Sequence, residues 1–577
     1  MNSTLLFKSL FVFLENKINS CSGRLLNSFL FFASLFLLII ACDPSDDSSN
    51  PPVPKNFELI NCFADQKSLN KIIFDISNNP EIRLIFSEPL DSSTVRNNIF
   101  VFKENRFITD FNFELTQGDS ALILNFNSTL APFTKYFIDI RKSLSSKAKR
   151  NLFSDLIKEF ITQPDTTDKF IRLDSQSLLD TVQKACFRYF WDFAHPVSGL
   201  IRERNSSADI VTTGGSGFGI MCIVVACHRN WINRNEAVDR LLKIIDFIEN
   251  KAQKYHGVLP HWLHGGIGAT IPFSANDNGG DLVETSYFVA GLLTARQYFN
   301  SANPNETELR KKINAFYDGV EWDWYRKNSQ NVLYWHWSID KQWIMNFAIK
   351  GWNEALLVYV LAAASNTHAI PPEVYHEGWA RDGKIKNGNY YFNINLPLGP
   401  HSGGPLFFSH YSFLGIDPFG LKDNYADYQI QVTNHTLINY NYCIANPRGY
   451  YGYSSSCWGL TSSDVPNGYS VNEPNNDHGV IAPTASLSSF PYTPYESNNA
   501  LEYFYYKWGD RLWNRFGFVD AFSLQQYWFA QSTLAIDQGP IMIMIENHRS
   551  KLIWNQLMSC EEIKRGMKTL GFNSPHF

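Results

Sequence analysis

The spacing of apolar residues divides the chain into a strand-rich part and a helix-rich part. Residues 55–165 alternate short β-branched and aromatic runs with turn residues, which predicts a small β-sandwich. From about residue 175 to the last residue, apolar positions return at intervals of three and four, which predicts helices. The clearest strand runs are 82–86, 121–126, 136–140 and 159–162.

The predicted helices are similar in length and follow one another over about 400 residues. An array of helical hairpins fits this pattern, and an (α/α)6 barrel is its usual closed form at this size. The longest stretch without a predicted helix runs from about 366 to 495. We therefore predict a mainly α fold, with an (α/α)6 barrel at 175–577 after a small β-sandwich. The helical runs are 178–190, 217–227, 237–248, 283–298, 306–317, 354–364, 499–508, 521–534 and 540–554.

The first 42 residues are predicted to be a targeting segment. Basic residues precede an apolar run at 29–41, and small Ala41 stands directly before Cys42, which resembles a bacterial lipobox. The run is short for a membrane helix, which is the alternative, and a polar linker at 43–54 follows it. We therefore expect a lipid anchor on Cys42 and a location in the cell envelope, in the outer membrane or on its periplasmic or surface face.

Composition excludes one class of partner and leaves another open. The net charge of −5, with no basic stripe along the sequence, argues against nucleic acid. Aromatic residues make up 15% of the chain, which a large core would explain, and so would a groove where sugar rings stack. The nine cysteines form no CxxC pair and no zinc pattern, so we expect no metal and no other cofactor. We expect Cys443 to pair with Cys457, with buried thiols as the alternative for the others.

Carboxylates in two short stretches are the residues best suited to chemistry. Asp277, Asp281 and Glu284 lie in the first stretch, and Glu354 ends the sequence Gly-Trp-Asn-Glu. Both stretches precede apolar helical runs and stand among aromatic residues. Cleavage of a bond between sugars needs one carboxylic acid to protonate the leaving oxygen, and one carboxylate to activate water or attack directly. The two stretches therefore predict a glycosidase site.

Helix starts offer a simpler explanation for most of these acids. Asp281 can cap the helix that follows, and Glu284, three residues later, would complete a capping box. Glu354 would complement a helix dipole in a first turn, with Asn353 as the cap. That dipole lowers a carboxyl pKa, so Glu354 can serve as an acid only if burial or another carboxylate raises its pKa by more. Asp277 lies in a loop, where no cap explains it.

One further acid lies at the predicted start of a helix. Asp537 lies in the stretch 535–540, which opens another apolar helix, and its side chain could cap that helix. In a barrel of helical hairpins, the N-terminal ends of the inner helices gather around one cleft. Acids that cap different helices then converge there, and this convergence is what the separate capping explanations do not predict.

Loop residues supply candidates for binding sugar. Ring-rich stretches at 322–325, 334–337 and 450–453 suit stacking on sugar faces, although such rings more often cover a core. An Arg-Glu-Arg sequence at 202–204 could clamp sugar hydroxyls or pair within itself at the surface. The substrate-binding candidates are Arg202, Trp335, Trp352, Tyr453, Trp458 and Gln538.

Other catalytic patterns are missing from the sequence. It contains no Gly-x-Ser-x-Gly elbow, and His401, His410 and His478 show no triad pattern, which argues against a serine hydrolase. The glycine-rich stretch 214–219 lacks the Lys-Ser/Thr ending of a phosphate loop. We expect it to form a tight turn that opens a packed helix.

Six motifs follow one another between about 175 and 575. They are 212–221, 281–287, 351–354, 457–464, 482–485 and 537–540. Together they resemble the glucoamylase-like domain of glycoside hydrolase family 144. The resemblance implies an (α/α)6 barrel that acts on β-1,2-glucans with inversion and without a metal. It implies that Asp277, Asp281, Glu284 and Glu354 are required for activity, and that Asp537 is the candidate base that activates water.

The strand-rich part carries a second resemblance. The sequence at 86–91, Tyr136 and the closing stretch 160–162 resemble a bacterial immunoglobulin-like domain. Such domains are usually spacers between a lipid anchor and a catalytic domain, and direct sugar binding is the alternative.

The expected function is inverting hydrolysis of β-1,2-glucan or β-1,2-glucooligosaccharides, with Glu354 as the leading acid candidate. Asp277, Asp281 and Glu284 would form an acidic floor. Endo-acting and sophorose-releasing enzymes of the family share these acids, so the sequence leaves both open. A non-catalytic glycan-binding surface lipoprotein and a glucoamylase-type hydrolase of another glucan linkage are the alternatives.

Overall fold

The computed structural model describes residues 56–103, 106–108 and 111–577, with only the backbone at 106–108. The predicted signal segment, Cys42 and the linker lie outside the described residues. The chain divides into two compact units, one ending at Thr166 and the other beginning at Thr167. Among the described residues, no helix combines the length and the apolar composition needed to cross a membrane.

The first unit is a sandwich of two five-stranded sheets, as predicted. Inward-facing residues such as Ile82, Leu84 and Phe86 alternate with more exposed neighbours, which buries one face of each strand. The strands are β1 Leu59–Ala64, β2 Lys67–Ser68, β3 Ile73–Ile76, β4 Glu81–Phe86, β5 Ile99–Lys103, β6 Arg106–Ile108, β7 Phe111–Thr116, β8 Ala121–Phe126, β9 Lys135–Ile140 and β10 Leu156–Thr162. One sheet has the order β2-β1-β4-β8-β7 and the other β3-β10-β9-β5-β6, with only β3 and β10 parallel among these pairs. Among the described residues of this unit, the one helix is α1, Ser92–Val95.

The second unit is mainly helical. Its helices are α2 Ser175–Trp191, α3 Thr213–His228, α4 Arg234–Asn250, α5 Leu282–Tyr298, α6 Pro304–Asp318, α7 Leu356–Ala364, α8 Tyr428–Ala445, α9 Pro483–Leu487, α10 Pro494–Glu502, α11 Trp508–Leu512, α12 Ala535–Ser550, α13 Leu552–Met558 and α14 Glu561–Thr569. Short 3-10 turns lie at Trp324–Arg326, Arg381–Gly383, His401–Gly403, Leu406–Ser409 and Ser412–Leu414, and π-helical turns at Val374–Trp379 and Tyr503–Lys507.

Helices buried on all sides alternate along the chain with helices buried on one face. The first kind comprises α3, α5, α7, α9 and α12, whose residues are almost all buried, and the second comprises α2, α4, α6, α8 and α10. A helix that is apolar all round lies inside other helices, and an amphipathic one lies at the surface. This is the arrangement of an (α/α)6 barrel, and the predicted fold class is confirmed.

Glycines let two inner helices cross closely. A Cβ on Gly217 of α3 would lie 2.3 Å from the carbonyl oxygen of Tyr287 in α5. A Cβ on Gly291 of α5 would lie 2.3 Å from the carbonyl oxygen of Gly217. Side chains at either position would push the helices apart, so this crossing depends on the glycine-rich start of α3. A tight turn is expected at 214–219 before the helix, but these residues are helical, because α3 begins at Thr213.

Two-residue to four-residue strands connect the helices. They are β11 Ile210–Thr212, β12 Trp262–His264, β13 Thr270–Ile271, β14 Gly280–Asp281, β15 Leu333–Tyr334, β16 His336–Trp337, β17 Ala348–Ile349, β18 Tyr390–Tyr391, β19 Ile394–Asn395, β20 Ser462–Val465, β21 Gly468–Val471, β22 Trp513–Asn514, β23 Gly517–Phe518, β24 Phe522–Ser523 and β25 Trp528–Phe529. The antiparallel pair β14 and β16 sets Asp281 opposite His336.

Three further predictions about the fold are wrong. The run 521–534 is not a helix but holds β24 and β25, joined by a turn in which Tyr527 has a φ of 52°. The stretch 366–495 is not free of helices, because α8 and α9 lie in it. Cys443 and Cys457 are both free and buried, and burial raises the pKa of both thiols. Each packs as a small apolar side chain instead of forming the expected disulfide.

Candidate active site

Asp281 caps α5, as the sequence predicts. Its Oδ1 accepts hydrogen bonds from the backbone N–H groups of Val283 at 3.1 Å and Glu284 at 3.0 Å. Its Oδ2 lies 2.9 Å from Nδ1 of His261, and the side chain is fully buried. The cap therefore uses one carboxylate oxygen, and the other faces an imidazole.

Glu284 does not complete the predicted capping box. Its Oε2 accepts the backbone N–H of Gly214 at 2.7 Å and the hydroxyl of Thr212 at 3.2 Å, both at the start of α3. A Cβ at Gly214 would lie 2.7 Å from the same oxygen, so glycine is what allows this approach. The carboxylate of one inner helix thus faces the positive end of the next, and it joins the N-terminal ends of α3 and α5.

Burial and neighbouring charges have opposing effects on the pKa values of Glu284 and His261. Burial raises the pKa of the Glu284 carboxyl, with a further contribution from Asp281, although the charge on His261 opposes it. Burial favours neutral His261, but the carboxylates of Glu284, Asp281 and Asp277 outweigh it and raise its pKa to about 9. His261 is therefore a cation at neutral pH, and it balances part of the negative charge around it.

Asp277 lies in the same pocket of acids, on the loop before α5. It is buried, and its Oδ1 is 3.7 Å from Nε2 of buried His336. Ligand atoms of Asp277, His261 and Asp281 all lie within 4.8 Å of one another, a spacing that could hold a metal ion. A protonated His261 cannot ligate a metal, so binding a cation there would first have to displace a proton from a group whose pKa is about 9.

Glu354 lies just before α7 and not in its first turn. Its backbone carbonyl accepts hydrogen bonds from the hydroxyls of Tyr287, at 3.2 Å, and Ser412, at 2.5 Å. The side chain of Asn353 accepts the N–H of Ala355. Tyr287 stands on α5, one turn after Glu284, so it brings the Glu354 turn to the acids of α5.

The environment of Glu354 makes it a weak acid. Burial raises the pKa of its carboxyl to about 7, and the nearby carboxylates of Asp281 and Glu284 add to this effect, while a backbone hydrogen bond lowers it. From the sequence, Glu354 could be a proton donor only if burial or another carboxylate raised its pKa by more than a helix dipole lowered it. Burial and two carboxylates both raise it, and Glu354 precedes the first residue of α7, so it is not in the first turn of that helix. At neutral pH a large share of Glu354 is protonated and able to donate a proton.

Asp537 belongs to a second group of acids. Helix α12 begins at Ala535, so Asp537 is its third residue and does not cap it, which corrects the prediction. Asp537 and Asp520 are both buried, and their carboxyl groups are close enough for each to shift the pKa of the other. Oδ2 of Asp520 also accepts the backbone N–H of Asp464 at 2.7 Å. The carboxylate of Asp464 is bound by Arg204, at 3.2 Å, and by Ser532.

Tyrosines lie between the two groups of acids. The rings of Tyr287 and Tyr411 meet edge to face at 5.8 Å, and the charges of both Asp537 and Glu354 raise the pKa of Tyr411, after burial. A Cβ on Gly215 of α3 would lie 2.7 Å from Cβ of Ala535 in α12. The N-terminal ends of α3, α5 and α12 are therefore neighbours, and the structure brings all five predicted acids to one end of the barrel.

Three of the predicted sugar-binding residues lie in the barrel wall. Trp352 packs against Phe413 and Tyr428 and is 5% exposed. Trp458 is fully buried, with its Nε1–H donated to the carbonyl of Glu496. Gln538 is fully buried between Phe518 and Cys186. Their ring faces and amide are covered by protein, so they pack in the barrel wall and are not placed to contact a sugar.

The other three predicted sugar-binding residues are partly exposed. Arg202 donates to the carbonyls of Phe193, Ala194 and Ala208, so its guanidinium holds a loop together and does not pair with Glu203. The hydroxyl of Tyr453 donates to Asp477 at 2.8 Å. The ring of Trp335 stands beside Phe347, which is 40% exposed, and its carbonyl accepts the N–H of Leu282 at the start of α5. Trp335 is thus bonded through its backbone to the first residue of α5, next to Asp281.

Several residues of the site escaped the sequence prediction. His261, Asp464 and Asp520 stand far along the chain from the acids that they contact, and none of them starts a helix. Asp464 ends one of the six motifs, which was the available signal for it. Asp520 and His261 had none, because a single acid or imidazole outside a motif has no distinctive spacing.

The Glycoamylase family model matches residues 346–561, and a model of the bacterial Ig-like domain (Big_5) matches residues 73–162. The chain is 44% identical over 420 residues to the exo β-1,2-glucooligosaccharide sophorohydrolase (non-reducing end) of Parabacteroides distasonis, an alignment that covers 69% of this chain. The chain spans 58% of the length of that relative.

Two solved structures are also similar. The endo-β-1,2-glucanase of Chitinophaga pinensis, solved with sophorotriose and glucose, is 49% identical and has a TM-score of 0.69. The match covers 70% of this chain and 100% of that one. A β-1,2-glucanase of Parabacteroides distasonis is 36% identical with a TM-score of 0.67, and the match covers 90% of this chain and 73% of that one.

Proposed function

Because the chain belongs to the glucoamylase-like glycoside hydrolases of family 144, we propose that it hydrolyses β-1,2-linked glucan or its oligosaccharides. The observation that carries the proposal is the meeting of five acids at one end of the helical barrel: four of them are buried, and the fifth, Glu354, has a carboxyl whose pKa is raised to about 7. A glycosidase needs a carboxylic acid that is still protonated at the working pH, and ordinary glutamates are not.

Glu354 acts as the general acid. Its proton goes to the glycosidic oxygen, directly or through a substrate hydroxyl or water, as the bond from that oxygen to the anomeric carbon breaks. A water molecule attacks the same carbon from the opposite face and gives its proton to Asp537, so the configuration of the product is inverted. Bulk water then returns a proton to Glu354 and removes the one that came from the attacking water.

The acids at the start of α5 contact the sugar and tune Glu354. Glu284 and Asp277 can accept hydrogen bonds from sugar hydroxyls, whereas Asp281 is fully buried with both oxygens already bound. The charges of Asp281 and Glu284 also help to keep Glu354 protonated. Trp335, with Phe347 beside it, offers a ring face on which a glucose unit can stack.

Endo action and release of sophorose are both compatible with these residues. The Chitinophaga pinensis relative is an endo-β-1,2-glucanase, and the Parabacteroides distasonis relative is an exo-acting sophorohydrolase. We further propose that Cys42 carries a lipid anchor and that the enzyme works in the cell envelope. The lipobox-like sequence and the Ig-like spacer before the barrel support this location.

A panel of glucans tests the proposal. The chain is incubated with linear β-1,2-glucan, starch and β-1,3-glucan, and the products are separated by chromatography. We expect only β-1,2-glucan to be cleaved: sophorose alone from the first minutes indicates exo action, and a ladder of oligosaccharides indicates endo action. Cleavage of starch would overturn the linkage, and intact substrates with measurable glucan binding would favour the non-catalytic alternative.

A further inference from the structure

Asp520 and Asp537 form a pair of buried acids that the proposed mechanism only half uses. Asp520 is 1% exposed and Asp537 is 2% exposed. Oδ1 of Asp520 and Oδ2 of Asp537 are fully buried, and neither has a donor from any other described residue. The two carboxyl groups are close enough for each to shift the pKa of the other. Two buried carboxylates that face each other without a donor repel when both are ionised, so one proton held between them is the stable arrangement.

The surroundings decide which carboxyl keeps the negative charge. Oδ2 of Asp520 accepts the N–H of Asp464 at 2.7 Å, a bond that favours an ionised Asp520. Asp537 makes no such bond through its carboxyl; its contact with Thr484, at 3.0 Å, uses the backbone carbonyl. The resting proton therefore belongs to Asp537, which donates to the Asp520 carboxylate.

The charged and titratable groups around the pair come from four segments. Asp464 on β20 and Tyr469 on β21 lie on one side, and Tyr411 lies on the side of Glu354. Arg204 binds Asp464 and also Glu203, at 2.9 Å, so its single positive charge is shared between two other carboxylates. The pair therefore has no cation of its own, and holding one proton is what limits its charge.

We propose, on the basis of the function proposed above, that Asp520 is the final proton acceptor when water attacks the glucan, with Asp537 as the relay that touches the water. Asp520 is a positioning residue in this scheme, because it acts only through Asp537. An Asp537 that already holds a proton can take another from water only if it passes its own proton on.

The protons balance in a single step. The oxygen of water forms a bond to the anomeric carbon as the bond from that carbon to the leaving oxygen breaks. One proton of the water moves to Oδ1 of Asp537. The proton that Asp537 held on Oδ2 moves at the same time to Oδ1 of Asp520. Asp537 ends with one proton, as it began, and Asp520 has gained one. Glu354 has lost its proton to the leaving oxygen, so the net change in the protein is one proton moved from Glu354 to Asp520.

The titration of the pair is consistent with this assignment. Burial raises the pKa of Asp520, with Asp464 adding to the rise, and it raises the pKa of Asp537 further, with Asp520 adding to that rise. Activity should therefore be lost on the acid side as Asp520 itself becomes protonated, because no acceptor is then left. The acid limb of the kcat profile should lie near the pKa of Asp520.

Substitutions at Asp520 test the relay through the pH profile of kcat. In Asp520→Asn an amide replaces the acceptor, so kcat at neutral pH should fall by about 100-fold or more. The acid limb should also move to lower pH, because Asp537 has lost a like-charged neighbour and gained a donor. Asp520→Glu keeps a carboxylate and should recover part of kcat with the limb near its original position. Asp239→Asn, on the exposed face of α4, is the control and should change neither.

Infrared spectroscopy tests the shared proton without any substrate. In a Glu354→Gln background, the carbonyl band of a buried protonated carboxyl should be present at neutral pH and should be lost when either Asp537→Asn or Asp520→Asn is added. A band that survives Asp520→Asn, or a fall in kcat with an unmoved acid limb, would show that Asp520 has only a structural role. If the wild type cleaves no β-1,2-glucan, the proposed function fails, and the infrared result still decides where the proton is.

Discussion

Replacing Glu354 with glutamine should abolish turnover and, at the same time, stabilise the fold above neutral pH. Glutamine has the shape of a protonated glutamic acid and cannot ionise, so it keeps the packing and removes the proton donor. The pKa of Glu354 is about 7 instead of the ordinary 4.5, because burial and the charges of Asp281 and Glu284 disfavour its ionised form. An acid that costs more to ionise in the fold than in the unfolded chain destabilises the fold once it is ionised.

The size and the direction of the effect follow from those two pKa values. At 1.36 kcal/mol for each tenfold change, the difference amounts to roughly 3 kcal/mol, and partial exposure of the side chain reduces it to about 2–3 kcal/mol. A raised pKa gives stability that is present below the unfolded value and lost as pH rises through the folded value. Wild type and Glu354→Gln should therefore be equally stable near pH 4, and the variant should be the more stable by pH 8.5.

Urea unfolding at a series of pH values, with hydrolysis assays on the same samples, measures both effects. Glu561→Gln is the matched control, because Glu561 is 81% exposed and should leave the stability profile and the activity unchanged. Equal stability of wild type and Glu354→Gln at every pH would refute the argument that Glu354 is held protonated by its surroundings. Undiminished hydrolysis would remove it from the role of acid.

Other substitutions separate the parts of the site. Asp281→Asn keeps an N-cap on α5 but removes a charge that raises the pKa of Glu354, so the alkaline limb of kcat should move to lower pH; an unmoved limb would contradict the coupling. Gly214→Ala sets a Cβ 2.7 Å from Oε2 of Glu284, so it should break the hydrogen bond between that carboxylate and the N–H of residue 214. The free energy of unfolding should fall by about 1–3 kcal/mol, and kcat should fall as well. Gly319→Ala, at the end of the outer helix α6, is the control and should leave kcat unchanged. In a native thiol assay Cys443 and Cys457 should be unreactive, and after unfolding without a reductant both should react; a pair that stays unreactive would contradict the free thiols.

The fold was largely predictable because its inner and outer helices differ in pattern. The inner helix α7 is apolar throughout, and the outer α4 has one clear apolar face. Helix α8 was missed because its buried face mixes polar residues with apolar ones. Gln431, His435 and Asn439 follow one another at intervals of four and bond to loop backbone or side chains, so no apolar period marks the helix. The sequence carries no record of those loop partners.

The acids were predictable as a set, but their roles were not. Asp281 follows the local rule for a helix cap, and the structure obeys that rule. Glu284 obeys the same rule in sequence, yet its partner is a backbone N–H on α3, 70 residues earlier. No motif or spacing in the sequence marks Asp520, and its proposed role depends on lying beside Asp537 in the fold. Contacts between distant segments decide these pKa values, and only the fold brings the segments together.

The configuration of the first product tests the central claim most directly. Linear β-1,2-glucan is cleaved in an NMR tube by enough enzyme to outrun mutarotation, and the anomeric proton of the new reducing end is followed from the first minute. With Glu354 as acid and water activated through Asp537, the new end should appear as the α anomer and convert slowly to the equilibrium mixture. A β anomer formed first would mean retention of configuration, and it would contradict the direct attack of water on which the account depends.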